Sequence, residues 1–271
     1  RYRTPSGAVS WGLAFCERAS ARVADVVIAT NESYRAIDIS RNRVDPARVF
    51  VVRNGPDLTR VRLAEPDPVL RSKGRVVLGY VGAMNPQDGV DYMLRALSHL
   101  RNTLNRADFY CVVIGDGDSL GELRSQSASL GLTDHVEFTG YIPDADMVRF
   151  LSTADICLDP NPSSPLNDVS TWIKVMEYMA LGKPVVSFDL KETRVSAGEA
   201  AVYVEPNDEA KFAAAIAGLM DDPARRARMA AVGRARIEQE LGWHVTSQNL
   251  LAAYRHLLQP VAASTRRAIE S

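Results

Sequence analysis

The sequence is poor in cysteine and in net charge, and it has no long apolar run. No apolar stretch approaches the roughly 18–20 residues that a membrane-spanning helix needs. A formal net charge of −1 argues against bulk attraction to nucleic acid or anionic lipid, although it leaves room for a local basic patch. Cys16, Cys111 and Cys157 are far apart and set among apolar residues. They favour reduced core thiols of a cytoplasmic protein over a disulfide framework or a metal site.

The printed sequence opens with neither a signal-peptide pattern nor an initiator methionine. It begins RYRTPSGAVSW, and this start predicts a segment of a longer protein. Its 271 residues fit two unequal domains, or one domain with a large attachment. A hydrophobic content of 46% and a charged content of 24% are those of a globular protein.

What the chain does have is a regular alternation of strand and helix patterns. Segments of helical period, such as GVDYMLRALSHLRNTL and DADMVRFLSTA, lie between most of the apolar runs. This alternation predicts βαβ units, right-handed crossovers and an α/β fold with a parallel sheet flanked by helices. Seven runs rich in Val and Ile are predicted as buried strands: 25–29, 49–52, 76–82, 109–115, 135–140, 155–159 and 184–188.

One stretch without sustained periodicity divides the chain. Residues 53–75 are rich in Pro, Gly and charge, and they separate two short strands from a run of five. The helices near the C-terminus are predicted to be capped by Asp221 or Asp222. We therefore predict five segments: the incomplete end of an N-terminal α/β domain (1–57), a linker (58–75), a complete α/β domain (76–220), C-terminal helices (221–258) and a tail (259–271).

Two weak motifs share the stretch GDGDSLGEL, residues 115–123. It follows a strand and precedes a helix, as a dinucleotide fingerprint does, but Leu120 stands where the third glycine is needed. The favoured interpretation is a turn that brings the strand end close to a ligand or to another loop. Asp116 and Asp118 have the D-x-D spacing that holds a divalent metal in one class of transferases. The same spacing recurs at 144–146, so we expect no metal site here.

The stretch NDVSTWIKVMEYMALGKPVV, residues 167–186, carries the strongest signal. It predicts a helix that starts near 169–172 and a following apolar strand. Lys174 falls in the first turn, where the helix dipole disfavours a cation, so a bound phosphate would offset that penalty. Glu177 follows one turn later and can accept two hydroxyl hydrogen bonds, as a ribose would offer. The competent N-caps are Asp168, Ser170 and Thr171.

Lysine usage favours this functional interpretation over a structural one. The structural alternative is an exposed Lys174–Glu177 pair at i,i+3, worth ~0.2–0.5 kcal/mol. The chain has only five lysines against 27 arginines, and three of the five fall between positions 174 and 191. Placing lysine here, in a chain that otherwise uses arginine, indicates a need for a compact ammonium.

Six stretches, taken together and in order, resemble family 4 glycosyltransferases: RNGPD, GYVGAMNPQDGVDYMLRAL, VVIGDGD, HVEFTGYIPDADMVRFLSTADICLDP, VMEYMALGKPVVSFDL and DDPARRARMAAVGRARIEQELGWHVTSQNLLAAYRHLL. The resemblance covers about residues 20–258. It implies the GT-B fold, in which two Rossmann-like domains face a cleft and the C-terminal one binds a nucleotide-sugar donor. It also implies transfer with retention of the anomeric configuration, with no metal and no cofactor.

The resemblance gives individual residues a role. It implies that Glu177 holds the donor ribose, that Gly82 and the loop after it line the diphosphate, and that Gly115 lies near the nucleotide. Lys174 matches a lysine that precedes the glutamate in some members, and we expect Lys174 and Asp168 to take part in catalysis. The full set expected to bind the donor is Gly82, Ala83, Gly115, Tyr141, Ile142, Ser170, Thr171, Glu177, Lys191 and Arg194.

The sequence departs from the family pattern at three positions. Many members carry an Arg and a Lys on the diphosphate where this chain has Ala83 and Asp88. The first glutamate of the usual E-x7-E motif is replaced by Val169, with Asp168 beside it. We therefore expect Asp168 to make the missing sugar-hydroxyl contact. We expect the phosphate charge to be met by other groups: Lys174, helix N–H groups, and Lys191 or Arg194.

The function implied is that of a retaining, hexosyltransferase-type enzyme in bacterial surface polysaccharide biosynthesis. Its donor would be a UDP- or GDP-linked sugar, its acceptor a glycan or a lipid-linked molecule, and nucleic acid is not an expected partner. Because only residues 1–57 represent the acceptor domain, this segment alone is expected to bind donor and turn over poorly. We expect a cytoplasmic location, with any peripheral contact to the inner face of the membrane made through the missing N-terminal domain.

Two alternatives stay open at this point. One is a nucleotide-sugar epimerase of the same fold, although such enzymes usually use a His near the sugar and the 167–186 stretch contains none. The other is a non-catalytic nucleotide-binding or interaction module, which the substitutions at Ala83, Asp88 and Val169 favour.

Overall fold

A computed structural model of the chain describes residues 7–258. These residues form two compact units. The larger unit comprises Gly55–Trp243, and the smaller unit comprises the described parts of Tyr2–Asn54 and His244–Ser271. The assignment of an acceptor domain and a donor domain to parts of this chain stays a prediction.

Eight strands are present in the described residues, and every strand pairing between them is parallel. They are β1 (Val27–Ala29), β2 (Val49–Val51), β3 (Val76–Val81), β4 (Phe109–Ile114), β5 (Val136–Gly140), β6 (Ile156–Asp159), β7 (Val185–Phe188) and β8 (Ala201–Val204). β1 pairs with β2 in the smaller unit, and the larger unit holds a six-stranded sheet in the order β5-β4-β3-β6-β7-β8. The predicted α/β fold with a parallel sheet is confirmed. Strand β8, which the sequence did not predict, is added at one edge.

Helices connect the strands. They are α1 (Gly7–Val23), α2 (Glu32–Ser40), α3 (Pro68–Ser72), α4 (Val90–Asn102), α5 (Leu120–Ser129), α6 (Asp144–Thr153), α7 (Ile173–Ala180), α8 (Lys191–Ala197), α9 (Glu209–Asp221), α10 (Pro223–Arg236) and α11 (Trp243–Leu258). Asp222 caps α10, because its side chain accepts a hydrogen bond from Arg225 N at 2.7 Å. In the part of the chain that the structure describes, no helix combines the length and the apolarity needed to cross a bilayer.

The six-stranded sheet is buried because helices cover both of its faces. α4 shows how the sequence dictates this packing: Val90, Met93, Leu94, Leu97 and Leu100 recur at helical spacing and are all buried in one apolar cluster with α9. Burying such a side chain fully stabilises the fold by roughly 1.5–3 kcal/mol. A second cluster on the other face contains residues of α6 and α7.

The strand order reverses between β3 and β6, and the two strands diverge there. β3 pairs with β4 along its whole length, but with β6 only at Leu78 and Gly79. Beyond that point the Tyr178 hydroxyl from α7 accepts a hydrogen bond from Val81 N at 2.9 Å. In open parallel sheets, ligands bind in the crevice outside the carboxyl ends of the strands at such a reversal.

Two local features differ from the predictions made from the sequence. Residues 58–75, predicted as a linker, contain α3 and bury Val61 and Leu70 in the second apolar cluster. Cys111 and Cys157 are buried free thiols as expected, but Cys16 is exposed. The prediction of a core thiol is wrong at Cys16, because α1 has no buried residue.

Candidate functional site

The loops that follow β3, β4 and β5 lie against one another. Gly82 N donates a hydrogen bond to Ile114 O at 3.1 Å, and Gly115 N donates one to Gly140 O at 3.0 Å. Gly115 has a φ of +131°, and a Cβ there would lie 2.0 Å from the Gly82 carbonyl oxygen. Only glycine fits at this position, so the glycine-rich turn serves the close approach of two loops.

A cavity of about 310 Å³ opens beside these loops. Its lining residues are Val81, Gly82, Ala83, Ile114, Gly115, Asp116, Tyr141, Ile142, Asp144 and Met147. The structure thus brings Gly82, Ala83, Gly115, Tyr141 and Ile142 of the predicted set together around one cavity. None of these lining residues, all in the described part of the chain, has a basic side chain.

Internal hydrogen bonds fix the loop after β3. The Tyr80 hydroxyl donates to Ala83 O at 3.0 Å, and Met84 N donates to Asp116 O at 3.0 Å. Ser119 N in turn donates to Met84 O at 2.9 Å. The cavity wall is therefore preformed, as is usual for small-molecule sites.

Glu177 is a half-buried carboxyl group on α7 that interacts electrostatically with Asp144, one of the residues lining this cavity. It accepts no hydrogen bond from any of residues 7–258. Burial raises the pKa of Glu177, the Arg60 guanidinium lowers it, and the Asp144 carboxylate raises it. Arg60 is ion-paired with Asp144, which lines the cavity. Glu177 is thus an unpaired acceptor group within the electrostatic reach of the cavity rim.

Lys174 is buried, whereas the structural alternative drawn from the sequence needed it exposed. Its side chain is only 7% exposed, and its Nζ lies 3.5 Å from Asp159 Oδ1. The ammonium also lies 4.9 Å from the centre of the Tyr80 ring and 5.0 Å from that of Trp172. The first turn of α7 packs inward, so the exposed pair with Glu177 does not form either. The catalytic role of Lys174 stays a prediction.

Two aspartates share the environment of Lys174. Asp159 ends β6 and is fully buried, and its Oδ2 accepts a hydrogen bond from Ser187 Oγ at 2.8 Å. Burial raises the pKa of Asp159 and of Asp88, while Lys174 lowers both. Burial likewise lowers the pKa of Lys174, which the two carboxylates raise. Asp88 therefore belongs to a buried cluster of one lysine and two aspartates that interact electrostatically.

The N-caps predicted for this helix are wrong. α7 begins at Ile173, and its N-cap is Trp172, whose side chain makes no cap hydrogen bond. Asp168 lies instead in a 3-10 turn, Asn167–Val169, and accepts a hydrogen bond from Ser163 Oγ at 2.9 Å. Ser170 donates its hydroxyl to Leu166 O at 2.7 Å, which ends that turn instead of starting α7. Thr171 lies between Ser170 and this N-cap and starts no helix either.

Several buried polar atoms in the same segment have no hydrogen-bond partner among residues 7–258. They are Asn161 Oδ1, Asn167 Oδ1 and Trp172 Nε1, whereas Asp159 Oδ1 has the Lys174 ammonium 3.5 Å away as its ionic partner. Buried polar groups are nearly always satisfied in native proteins, so unpaired ones point to a water or a ligand. They follow the carboxyl end of β6, on one side of the crevice where β3 and β6 diverge.

The two basic residues predicted from α8 differ in their partners. Arg194 donates to both carboxylate oxygens of Asp189, at 2.7 and 2.6 Å, and its guanidinium lies 4.3 Å from the Tyr203 ring centre. Its charge is therefore already matched. Lys191 is exposed at the first position of α8 and makes no hydrogen bond or ion pair within residues 7–258.

Sequence reasoning missed three charged residues of this region. Asp159 carried a weak signal, because a charged residue closes the apolar run DICLD. Arg60 and Asp144 carried none, since their pairing joins positions 84 residues apart. No group of three His, Cys, Asp or Glu side chains suited to a metal ion occurs in the described residues.

One family model and several known proteins match this chain. Residues 75–222 match the family model described as Glycosyl transferases group 1. The chain is 26% identical over 240 residues to the 2-deoxystreptamine glucosyltransferase of Streptomyces kanamyceticus, covering 88% of this chain and 59% of that protein. It is 29% identical over 256 residues to the D-inositol 3-phosphate glycosyltransferase of Frankia alni, covering 88% of this chain and 60% of that protein. The chain thus spans less than two thirds of the length of these relatives.

Solved structures share the fold. The Anabaena protein HepE in complex with UDP and glucose aligns with a TM-score of 0.72 at 20% identity, over 87% of this chain and 64% of that one. The sucrose-phosphate synthase of Thermosynechococcus elongatus aligns with a TM-score of 0.75 at 22% identity, over 94% and 64%. Both similarities establish the Rossmann-like architecture of GT-B proteins.

Proposed function

The chain belongs to the glycosyltransferase group 1 family, and from this premise we propose that it carries the donor site of a retaining, metal-independent glycosyltransferase. The reaction moves a sugar from a nucleotide sugar to a hydroxyl group of an acceptor. The observation that carries this proposal is the preformed cavity at the carboxyl ends of β3, β4 and β5, whose lining residue Asp144 interacts electrostatically with the unpaired Glu177 carboxyl group.

The nucleotide is proposed to bind in three parts. The Glu177 carboxylate accepts hydrogen bonds from the two ribose hydroxyls. The diphosphate lies along Gly82 and Ala83, and the base lies beside Tyr141, whose ring is 81% exposed, and Ile142. The cavity volume of about 310 Å³ is within the range of roughly 300–1,000 Å³ for ligand sites. The UDP bound in the HepE complex supports a uridine nucleotide as the first donor to test.

Catalysis is proposed to be mainly electrostatic. The bond between the anomeric carbon and the diphosphate oxygen breaks, and the acceptor hydroxyl attacks the same face of the sugar while its proton passes to the leaving diphosphate. Because no basic side chain lines the cavity, backbone N–H groups are proposed to supply most of the stabilising charge, and the buried Lys174 ammonium, which is paired with Asp159, is proposed to add to it. A fixed charge in a low-dielectric interior acts more strongly than one in water. Asp168 and the unpaired polar atoms of Asn161, Asn167 and Trp172 are proposed to meet the hydroxyls of the sugar.

The acceptor is proposed to be a glycan or a lipid-linked molecule of bacterial surface polysaccharide synthesis, used in the cytoplasm. The relatives described above support only the bacterial part of this assignment, since they are named for 2-deoxystreptamine and D-inositol 3-phosphate. Lys191 and Arg194, both on α8, are proposed as secondary phosphate contacts. Lys191 is the stronger candidate, since Arg194 already has Asp189 as its partner.

Thermal shift with UDP, GDP, ADP and their sugars tests the donor site. A nucleotide at ~100 times its dissociation constant stabilises a protein by about 2.7 kcal/mol. For a chain of this size, about 1 kcal/mol corresponds to roughly 2–4 °C. We expect a shift with one base only, lost in Glu177→Ala and kept in Glu65→Ala, which removes an exposed carboxylate elsewhere. If no nucleotide stabilises the chain, the donor-site proposal fails and a non-catalytic module becomes the better description.

A further inference from the structure

In the loop after β3, hydrogen bonds hold the peptide groups on either side of the Gly82–Ala83 peptide. In the peptide before it, Gly82 N donates to the carbonyl oxygen of the last residue of β4 at 3.1 Å. In the peptide after it, the Ala83 carbonyl oxygen accepts a hydrogen bond from the Tyr80 hydroxyl at 3.0 Å. The N–H of that same peptide, Met84 N, donates to Asp116 O at 3.0 Å. Both neighbouring peptide groups are therefore fixed in orientation.

The Gly82–Ala83 peptide itself makes no hydrogen bond within residues 7–258, either through its N–H or through its carbonyl oxygen. Both residues line the cavity of about 310 Å³. The Gly82 carbonyl oxygen lies close to Gly115, where a Cβ would be only 2.0 Å away. Because the N–H and the carbonyl of a trans peptide point in opposite directions, the Ala83 N–H is turned away from Gly115. It is a backbone donor left for a ligand of the cavity.

Tyr80 reaches this loop from inside the larger unit. Its side chain is 0% exposed, and its ring centre lies 4.9 Å from the Lys174 ammonium. A Cβ at position 82 would lie 2.9 Å from the Tyr80 hydroxyl oxygen, so the side chain is packed directly under the loop. Within the described residues, the hydroxyl makes one hydrogen bond, the one to Ala83 O. Bulk water has no access to replace it.

We propose that the Ala83 N–H donates a hydrogen bond to a phosphate oxygen of the donor, and that Tyr80 is the positioning residue that keeps this N–H in place. The inference rests on the proposed nucleotide site. None of the described residues that line the cavity is basic, so the orientation of backbone dipoles decides whether a diphosphate is attracted there. By holding the Ala83 carbonyl group in the interior, Tyr80 keeps a carbonyl oxygen from turning toward the phosphate. Tyr80 therefore acts on the nucleotide through Ala83 and need not touch it.

Tyr80→Phe tests this role, because phenylalanine keeps the buried ring and removes only the hydroxyl group. The variant leaves Ala83 O buried without a partner, and turning the peptide toward the cavity relieves that cost. The matched control is Tyr110→Phe, which removes a tyrosine hydroxyl from the neighbouring strand β4. That hydroxyl bonds to Lys73 and Glu137, neither of which lines the cavity.

Hydrogen exchange of the Met84 amide, followed by NMR in the full chain, reports on the peptide group that Tyr80 holds. This N–H belongs to the same peptide as Ala83 O, so both loosen together. We expect its exchange to be roughly two- to tenfold faster in Tyr80→Phe, the worth of one hydrogen bond, and unchanged in Tyr110→Phe. An unchanged rate in Tyr80→Phe overturns the inference, whatever the protein binds.

NMR titrations with UDP, GDP and ADP, each beside its nucleoside, complete the test. We expect the nucleoside diphosphate that binds to lose roughly two- to tenfold in affinity in Tyr80→Phe, while its nucleoside binds as in the wild type. An equal loss for nucleotide and nucleoside would assign Tyr80 a merely structural role and overturn the positioning role, as would an undiminished affinity for the diphosphate. If none of the nucleotides binds the wild-type chain, the proposed function fails and the positioning role fails with it.

Discussion

At the scale of single residues, the buried cluster of Lys174, Asp159 and Asp88 carries a large desolvation cost in the larger unit. Three charged groups leave water at the end of a parallel sheet, and each carboxyl group has its pKa raised by burial. The desolvation of a buried ion costs several kcal/mol, which only a close opposite charge and good hydrogen bonds can offset. The ammonium of Lys174 serves both aspartates, so its loss has a larger effect than the loss of either one.

Lys174→Met tests this cluster, because methionine keeps the apolar stem of lysine and removes the charge. We expect a loss of about 3–5 kcal/mol in the free energy of unfolding at neutral pH, as for other broken buried pairs. A buried carboxyl group with a raised pKa costs stability as pH rises from its unfolded pKa of about 4 through its folded value. The deficit of the variant should therefore be smaller in acid than at neutral pH, as urea unfolding at several pH values will measure.

The control for this prediction is Asp88→Asn, which leaves one lysine facing one aspartate. Its side-chain oxygen can still accept the hydrogen bond that Asp88 Oδ2 accepts from Asn85 N at 3.2 Å. We expect a change below about 1 kcal/mol. A deficit of Lys174→Met that does not depend on pH would assign the effect to packing and not to charge.

At the scale of elements, one hydroxyl group completes the backbone hydrogen bonding where β3 and β6 diverge. The Tyr178 hydroxyl replaces the missing strand partner of Val81 N, and it is fully buried. Tyr178→Phe leaves this backbone N–H unsatisfied, so we expect a loss of about 1–3 kcal/mol. Hydrogen exchange should show faster exchange of the Val81 amide.

The matched control is Tyr203→Phe, which also removes a hydroxyl group from the larger unit. The Tyr203 hydroxyl donates to Gly198 O at 2.9 Å in a half-buried position. Water can replace that donor, so we expect a smaller loss and an unchanged Val81 amide. Equal losses in the two variants would show that Tyr178 acts by packing alone.

The elements also show how far the sequence could predict this fold. Seven strands could be predicted from continuous apolar runs, because strands buried on both faces of a parallel sheet are rich in Val and Ile. β8 escaped because its four residues are only half-buried at the sheet edge. The start of α7 was misplaced because Ser170 bonds back to Leu166 O, a local choice that cap preferences do not decide.

The candidate site, too, could be predicted from the sequence only in part. Gly82 and Gly115 allowed the loops around the cavity to be predicted. A close approach of two backbone segments requires glycine, and glycine is visible in the sequence. The burial of Lys174 and the pairing of Arg60 with Asp144 left none, because both depend on contacts between distant segments. Local chemistry was therefore predictable, while the choice of partner for each charge was not.

At the scale of the whole molecule, every residue of the proposed donor site belongs to the larger unit. The cavity lining and Glu177 both fall within Gly55–Trp243. The smaller unit has its own apolar cluster of Ala29, Val44 and Val49 and its own capped helix, α2. Each unit is therefore expected to unfold as a separate cooperative step, and only one step should respond to a nucleotide.

Two helix caps report on the two units separately. Asn31 caps α2 in the smaller unit by accepting a hydrogen bond from Tyr34 N at 2.8 Å, and Asp208 caps α9 in the larger unit by accepting one from Lys211 N at 2.9 Å. Replacing either by alanine should cost about 0.5–2 kcal/mol in its own unit. In scanning calorimetry, we expect Asn31→Ala to lower one transition and Asp208→Ala the other. UDP should raise only the transition that Asp208→Ala lowers, because the nucleotide binds the folded larger unit alone. If both variants and UDP move one common transition, the two units unfold together, and stability gained at the donor site is shared by the whole chain.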